Sequence, residues 1–220
     1  MSAHSIPAMK PMRIMLRLLL ATALILPLSI HYADAIVRML MPLYRLIFEF
    51  IGDDYQIKFF GLAARGVESV IRVDVSMAHA LIVGGHLVFP DPRGTANVTT
   101  PVVQIIQPAT VALIAALAWP CSSLKRWFLR LTALAFFLLI ITSLDAPFLL
   151  AGEVWSLVID HMSPGTESAL VTWSQFLQGG GRAVLGIFAA LASVAVENFF
   201  FRSAPSAIQG KITISASYRS

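Results

Sequence analysis

Long apolar runs separated by short charged segments dominate the chain. The runs cover residues 14–32, 102–119, 127–151 and 183–201. Each approaches the roughly 20 residues that a helix needs to cross about 30 Å of hydrocarbon. The pattern predicts a mainly α-helical membrane protein with four transmembrane helices.

The first run has a second interpretation. Its basic start, its apolar core and the triplet Ala33-Asp34-Ala35 are also typical of a secretory signal that is cleaved after Ala35. Cleavage of residues 1–35 would leave three transmembrane helices. Both interpretations place 36–101 on the same side of the membrane, so only the number of spans differs.

Residues 36–51 are predicted to form a separate amphipathic helix. Arg38, Arg45 and Glu49 fall on one helical face at spacings of seven and four, and nearly every other position is apolar. Such a helix lies in the outer membrane interface or docks on the bundle. Its polar stripe is equally compatible with a partner helix.

The hydrophobic period changes from 3.6 to two after residue 52. Apolar and polar residues alternate along 71–77, which predicts a half-buried strand, and Tyr55–Leu62 is the expected partner strand. A second hairpin is predicted around Gly84-Gly85. We therefore expect a small extracytoplasmic antiparallel β insertion of three or four strands. Such a sheet is too small to be stable alone and needs the 36–51 helix or another protein beneath it.

The composition supports a bilayer environment. Hydrophobic residues make up 57% of the 220 positions and charged residues 13%, whereas a soluble domain carries about 25% charged residues. The net charge is +4, and the basic residues stand at the ends of the apolar runs. This arrangement favours contact with membrane lipids and argues against nucleic acid. A single cysteine, Cys121, excludes an intrachain disulfide, and we expect no cofactor.

Lys and Arg residues predict which side each segment faces. They precede the first run, separate the second run from the third and follow the last run. Short segments rich in Lys and Arg stay in the cytoplasm, so both termini are expected there, in the inner membrane of a bacterium. The predicted parts are 1–32, the N-tail with the first span or signal; 33–101, the extracytoplasmic helix and β-domain; 102–201, three transmembrane helices; and 202–220, a cytoplasmic tail.

Asp145 is the carboxylate whose position demands a partner. It lies 18 residues after Trp127, about 27 Å along a helix and hence near the outer interface. Carboxylates at membrane depth usually face the bundle interior and pair. Arg182 opens the last span at the same depth, so we predict an Asp145–Arg182 ion pair, with a substrate or proton site as the alternative. At the inner end, Glu197 is expected to pair with a nearby arginine.

The segment Gly179-Gly180-Gly181-Arg182 combines glycines, a helix N-terminus and a cation. Together these features can hold an anion such as a lipid phosphate. Close helix packing or a flexible start of the helix explains the same glycines equally well.

The sequence predicts neither a metal site formed by histidines nor a catalytic cysteine. His79, His86 and His161 face outward, but His79 and His86 would stand about 13 Å apart along their hairpin, too far to share one metal ion. Cys121 belongs to the cytoplasmic edge, whereas His161 and Arg182 belong to the opposite one. This separation argues against a thiol catalyst.

The layout resembles one known class of membrane protein. The stretch MRIMLRLLL at 12–20, the small outward domain and the later short spans are similar to accessory membrane proteins that accompany bacterial exosortases. Those systems process proteins that carry a C-terminal sorting signal. The resemblance implies a partner in envelope protein sorting and not the catalyst itself.

The favoured hypothesis is a non-enzymatic inner-membrane accessory subunit that presents its β-domain to a membrane-protein partner. Two alternatives stay open. One is a membrane enzyme acting on a lipid or peptide at the outer face, built on Asp145, His161, Arg93 and Arg182. The other is a small transporter, which the lack of charge at the bilayer midplane disfavours.

Overall fold

A computed structural model of the chain describes residues 11–83, 86–90, 94–121, 123–162 and 168–202. The Gly84-Gly85 turn, Arg93 and the predicted tail beyond Arg202 lie outside these residues. The elements in chain order are α1 (Pro11–Ile51), β1 (Tyr55–Arg65), β2 (Glu68–Met77), β3 (Leu81–Val83), β4 (His86–Val88), β5 (Ala96–Pro101), α2 (Val102–Ile105), α3 (Gln107–Ala118), α4 (Leu124–Met162), α5 (Ala169–Phe176), a wide turn (Leu177–Gly181) and α6 (Arg182–Arg202). The predicted mainly helical architecture with a small antiparallel sheet is confirmed.

Three helical segments in the described part of the chain are long and apolar enough to cross a membrane. They are Met12–Ile51, Leu124–Asp160 and Ala169–Phe201. The run at 102–119 forms a shorter apolar segment that is interrupted at Ile106, where ψ is −9°. The expected count of four spans therefore depends on this short segment.

Helix α1 corrects the predicted boundary at residues 32 and 33. It is one helix of 41 residues that contains Pro27 and Pro42, so the separate helix expected at 36–51 is wrong. No glycine or turn sequence stands between Tyr32 and Ile36, and the alanines there favour helix. The change from apolar to mixed side chains near residue 33 therefore reflects a change in what the helix contacts and not the end of the helix.

Gly52 ends α1 and starts the sheet. Its N–H donates to the Phe48 carbonyl at 2.8 Å, and its own carbonyl accepts from the Tyr55 N–H at 2.9 Å. A side chain at Gly52 would come within 3.1 Å of the Phe48 carbonyl oxygen. The helix therefore ends at a tight turn and passes directly into β1.

The sheet has three antiparallel strands in the order β1-β2-β5. Arg65 pairs with Glu68 across a two-residue turn in which Gly66 has φ 65°, as a glycine at the first position of a type II′ turn requires. Strands β1 and β2 lie where the alternation predicted them. Strand β5 was not predicted as a strand.

Strands β3 and β4 form a separate hairpin. Val83 pairs with His86, which is the register that the sequence predicted around Gly84-Gly85. The hairpin does not join the three-stranded sheet, so the two β units are independent.

The sheet rests on the C-terminal half of α1, as predicted, and also on α4. The fully or almost fully buried side chains that meet here are Val37, Tyr44, Phe48, Ile71, Val73, Val75, Ala146, Leu150 and Val154. The Ser69 hydroxyl donates to Asp34 at 2.8 Å, while the Phe60 ring packs on Phe48 with centroids 5.6 Å apart. These two contacts lie far apart on α1, so the strands run roughly along the helix.

Small residues let the apolar helices approach closely. Helices α3, α4 and α6 share a core that includes Ala112, Ala116, Ala189 and Ala190. A Cβ atom at Gly186 would lie 2.5 Å from the Pro108 carbonyl oxygen. Such close backbone contact is typical of helices that pack within a membrane.

Candidate functional site

Two buried ion pairs join α4 to α6. Asp145 pairs with Arg182, and Arg130 pairs with Glu197. The two residues on each helix are 15 positions apart, about 22 Å at 1.5 Å per residue. In one pair the acid lies on α4 and the base on α6, and in the other pair the base lies on α4 and the acid on α6. Each pair therefore holds the two antiparallel helices at a matching level.

The Asp145–Arg182 pair is fully enclosed. The Arg182 Nε donates to both Asp145 carboxylate oxygens, at 2.9 and 3.1 Å, and Nη1 donates to the Gln104 side chain at 3.1 Å. The side chains are 2% and 0% exposed. The ion pair predicted from the depth of Asp145 is therefore confirmed, and Gln104 is a third member that the sequence did not reveal.

Further polar groups surround this pair. The Gln178 amide donates to Glu153 at 2.8 Å, and the Arg182 charge acts on Glu153 as well as on Asp145. The Tyr44 hydroxyl is buried close to this pair and to Thr142, and Arg182 Nη2 is buried without a hydrogen-bond partner among the described residues. The Arg182 guanidinium therefore connects α2, α4 and α6.

The three glycines before Arg182 shape a bend. Gly180 has φ 104°, a conformation that favours glycine, and a Cβ at Gly181 would lie 2.6 Å from the Phe176 carbonyl oxygen. The bend turns Arg182 into the bundle, where Asp145 neutralises it. The anion site predicted at Gly179, Gly180, Gly181 and Arg182 stays a prediction, and its cation already has a carboxylate partner.

The Arg130–Glu197 pair also closes the end of α3. Arg130 reaches Glu197 with Nε at 2.7 Å and Nη2 at 2.6 Å. Its Nη1 donates to the carbonyls of Ala116 and Trp119, at 3.1 and 2.8 Å, and Nη2 donates to that of Pro120 at 3.2 Å. One arginine therefore satisfies both a buried acid and the free carbonyls at a helix C-terminus. The predicted pairing of Glu197 is confirmed with Arg130.

Cys121 lies beside the Arg130–Glu197 pair. Its thiol is 3.5 Å from the Ser123 carbonyl and 3.9 Å from Glu197. A cavity of about 240 Å³ opens here and is also lined by Trp119 and Asn198. Because Arg182 begins α6 and Glu197 lies near its end, the fold separates the thiol from Arg182.

The proposed catalytic cluster is only partly described. Asp145 and Arg182 are in contact, whereas Arg93 and the side chain of His161 lie outside the described residues. His79 contacts Asp54 at 3.0 Å. The described part of the chain contains no group of three or more His, Cys, Asp or Glu that could hold a metal ion.

The solvent face of the sheet carries a polar network that the sequence did not predict. Asp74 accepts from Arg72 at 2.7 Å and from the Asn97 amide, and Arg65 donates to Thr99 at 3.4 Å. The Arg72 hydrogen bond holds the pKa of Asp74 below its ordinary value. A shallow groove of about 460 Å³ lies over these residues.

Tyr55 stands where α1 passes into the sheet. Its hydroxyl is buried and has no hydrogen-bond partner among the described residues. Burial, and secondarily the charge of Asp54, raises the pKa of Tyr55 above its ordinary value. The group is therefore held in its neutral form.

Comparison with known proteins does not assign this chain to a family. No protein-family model, no curated protein and no solved structure matches it.

Proposed function

We propose that the chain is an integral subunit of the bacterial inner membrane that presents its β-domain to a partner protein of an envelope complex. Both termini are cytoplasmic in this proposal, and the sheet faces the periplasm. The resemblance to accessory proteins of exosortase systems makes protein sorting or export the favoured setting.

The spacing of charged and apolar groups supports membrane insertion. The two buried ion pairs stand about 22 Å apart along α4 and α6, and the side chains between them on these helices are uncharged and mostly apolar. Trp119 and Lys125 lie at the inner end, where indole rings and basic residues favour headgroups. Asp145 and Arg182 then lie near the outer boundary, and the sheet extends beyond them.

The partner hypothesis is based on the free edge of β1. The strand has 11 residues and pairs only with β2 among the described strands. Its first half is blunted by an irregularity between Ile57 and Phe59 and by the charge of Lys58, two devices that hinder strand addition. From Phe59 to Ala64 the sequence carries neither a charge nor a proline. This stretch is a template for an added strand.

The turn geometry identifies the outward backbone groups. In a two-residue II′ hairpin the pair that flanks the turn, here Arg65 and Glu68, is hydrogen-bonded. The backbone groups of Ala64 and Leu62 then point away from β2, toward the free edge. Because the strands run along α1, antiparallel pairing of two β1 strands would require two copies with opposite orientations in the membrane. A different protein is therefore the expected source of the strand.

Replacement of Ala64 by proline tests the proposal. Ala64→Pro removes an outward N–H and leaves the ladder to β2 intact, so the fold is preserved. Full-length protein carrying an affinity tag is purified in mild detergent from its native host. We expect the unsubstituted protein to bring down a stoichiometric partner and Ala64→Pro to lose it.

Ala64→Val is the matched control, because it retains the N–H and favours a strand. It should bind the partner as the unsubstituted protein does. Purification without any stoichiometric partner contradicts the proposed function. Equal partner binding by Ala64→Pro and Ala64→Val contradicts the role of the β1 edge.

A further inference from the structure

The cavity beside Cys121 is positively charged. It lies where α3 ends and α4 begins, and its volume of about 240 Å³ is several times the roughly 30 Å³ that one water molecule occupies in the liquid. The charged side chains of its lining are Arg126, Arg130 and Glu197. Because two cations face one acid, the cavity favours an anion.

Arg126 is the cation of this cavity that has no acidic partner among the described residues. Glu197 is engaged by Arg130, whose Nε and Nη2 lie 2.7 and 2.6 Å from its carboxylate. The Arg126 guanidinium instead lies over the Phe201 ring, 4.9 Å from the ring centroid. A guanidinium held over a ring can still donate its N–H groups within its own plane, the geometry that binds two phosphate oxygens at once. Arg126 is therefore positioned to contact a phosphate.

The surroundings of the cavity are apolar, which favours a lipid over a soluble anion. Trp119 belongs to the lining and is 48% exposed. Leu124 and Phe199, which neighbour the lining in sequence, are also exposed. Aromatic and basic side chains occur together at the level of lipid headgroups. A charged cavity with an apolar rim fits an amphiphile, whose phosphate enters the cavity while its acyl chains stay on the rim.

The charges also distinguish between the two main classes of phospholipid. A zwitterionic headgroup carries an ammonium group beside its phosphate, and burial of this group requires an acid. Glu197 is the acid of the lining, but its side chain is only 4% exposed and already pairs with Arg130. An anionic headgroup requires only a cation, which Arg126 supplies. The cavity therefore fits an anionic headgroup better.

We propose that this cavity binds the phosphate of an anionic phospholipid, with the Arg126 guanidinium as the main donor and the Asn198 amide as a second one. The inference rests on the proposed membrane insertion, which puts this end of the bundle at the cytoplasmic headgroups. It uses a surface different from the β1 edge. A bound lipid of this kind connects the beginning of α4 to the end of α6.

The Cys121 thiol reports whether the cavity is occupied, because it belongs to the lining and is the single cysteine of the chain. Full-length protein is reconstituted in nanodiscs of phosphatidylcholine, with or without phosphatidylglycerol. The rate of labelling is measured with an uncharged maleimide, which the bilayer charge does not repel. We expect phosphatidylglycerol to slow the labelling of Cys121 several-fold, and Arg126→Gln to abolish this protection.

Lys125 provides the matched controls. It neighbours Arg126 but is exposed and does not belong to the lining. Lys125→Gln removes one positive charge at the same level, and the protection of Cys121 should persist. Lys125→Cys combined with Cys121→Ser moves the thiol outside the cavity, so phosphatidylglycerol should change its labelling several-fold less.

Each other outcome overturns the lipid site. Labelling of the unsubstituted protein that does not respond to phosphatidylglycerol shows that the cavity does not hold it, and this comparison needs no variant to fold. Equal protection in Arg126→Gln, equal loss in Lys125→Gln or equal slowing at Lys125→Cys indicates diffuse attraction by the surface charge. Equal protection by inorganic phosphate in phosphatidylcholine nanodiscs assigns the cavity to a soluble anion. Because partner capture by the tagged protein is measured separately, failure of the lipid site and failure of the proposed function are distinguishable.

Discussion

At the residue scale, a few charged side chains align helices whose other contacts are apolar and nondirectional. Asp145 and Glu197 were both identifiable from the sequence, because a charge inside an apolar run must find a partner at the same depth. What the sequence could not give was the rest of each network. Gln104 reaches Arg182, and Arg130 reaches the carbonyls of Ala116 and Trp119, because the tertiary packing brings separate helix ends together.

Replacement of one partner of the Asp145–Arg182 pair should lower the free energy of unfolding far more than replacement of both. Asp145→Ala leaves a buried unpaired guanidinium and is expected to lower the free energy of unfolding by about 3–5 kcal/mol. The double variant Asp145→Leu with Arg182→Met should lie close to the unsubstituted protein. Thermal unfolding in detergent and steady-state protein levels measure both.

The exposed pair on α1 is the control for this prediction. Arg45 and Glu49 are 60% and 50% exposed, so Glu49→Ala should cost no more than about 1 kcal/mol. A stable double variant that has lost partner binding or cellular function would contradict a purely structural role for Asp145 and Arg182.

Tyr55 should make the stability of the protein sensitive to alkaline pH. Its pKa is raised in the folded state by burial, so its contribution is fully present below the unfolded value of about 10 and declines as the pH rises above it. Tyr55→Phe should abolish this component and be neutral or stabilising by about 1 kcal/mol, because the buried hydroxyl lacks a partner. Unfolding is measured between pH 8 and 11. Tyr32→Phe, at an exposed site, is the control, and a destabilised Tyr55→Phe would contradict the argument.

At the element scale, hydrophobic period predicted some elements and missed others for identifiable reasons. Strand β2 alternates regularly and was predicted, whereas β5 is short and polar, with Asn97, Thr99 and Thr100 in a row of six residues. Only pairing with β2 makes it a strand. Helix α1 was divided in the prediction because its neighbours change from apolar helices to the sheet while its backbone continues.

Close packing of α3 on α6 depends on Gly186. The Cβ atom of Gly186→Ala would lie 2.5 Å from the Pro108 carbonyl oxygen, so the helices must separate at a cost of about 1–3 kcal/mol. Chemical unfolding in mixed micelles measures the loss. Gly179→Ala is the control, because open space surrounds that position, and a change there should stay within about 0.5 kcal/mol. Equal effects at the two glycines would rule out the steric explanation.

At the scale of the whole molecule, the sheet and the bundle form one body. Val37 and Phe48 of α1 contact the sheet, and Ala146 and Val154 of α4 belong to the same buried cluster. A sheet too small to be stable alone thus gains its core from two helices that continue into the bundle. Movement of the sheet relative to the helices would therefore break a continuous apolar core.

The proposed orientation predicts opposite labelling of two cysteines. Cys121 is at the cytoplasmic end in this proposal, and Val67, fully exposed in the β1–β2 turn, is at the periplasmic end. A maleimide that does not cross membranes should label Val67→Cys, combined with Cys121→Ser, in intact spheroplasts. Cys121 in the unsubstituted protein should be labelled only after the membrane is opened, because the bilayer separates it from the reagent.

The prediction holds only if the thiols at positions 67 and 121 are labelled from opposite sides of the membrane. Labelling after detergent treatment shows that each thiol is reactive, which removes burial as the reason for a negative result. Cys121 labelled in intact spheroplasts while Val67→Cys is protected would reverse the orientation and direct the β1 edge toward a cytoplasmic partner. Equal labelling of both before the membrane is opened would contradict membrane insertion itself.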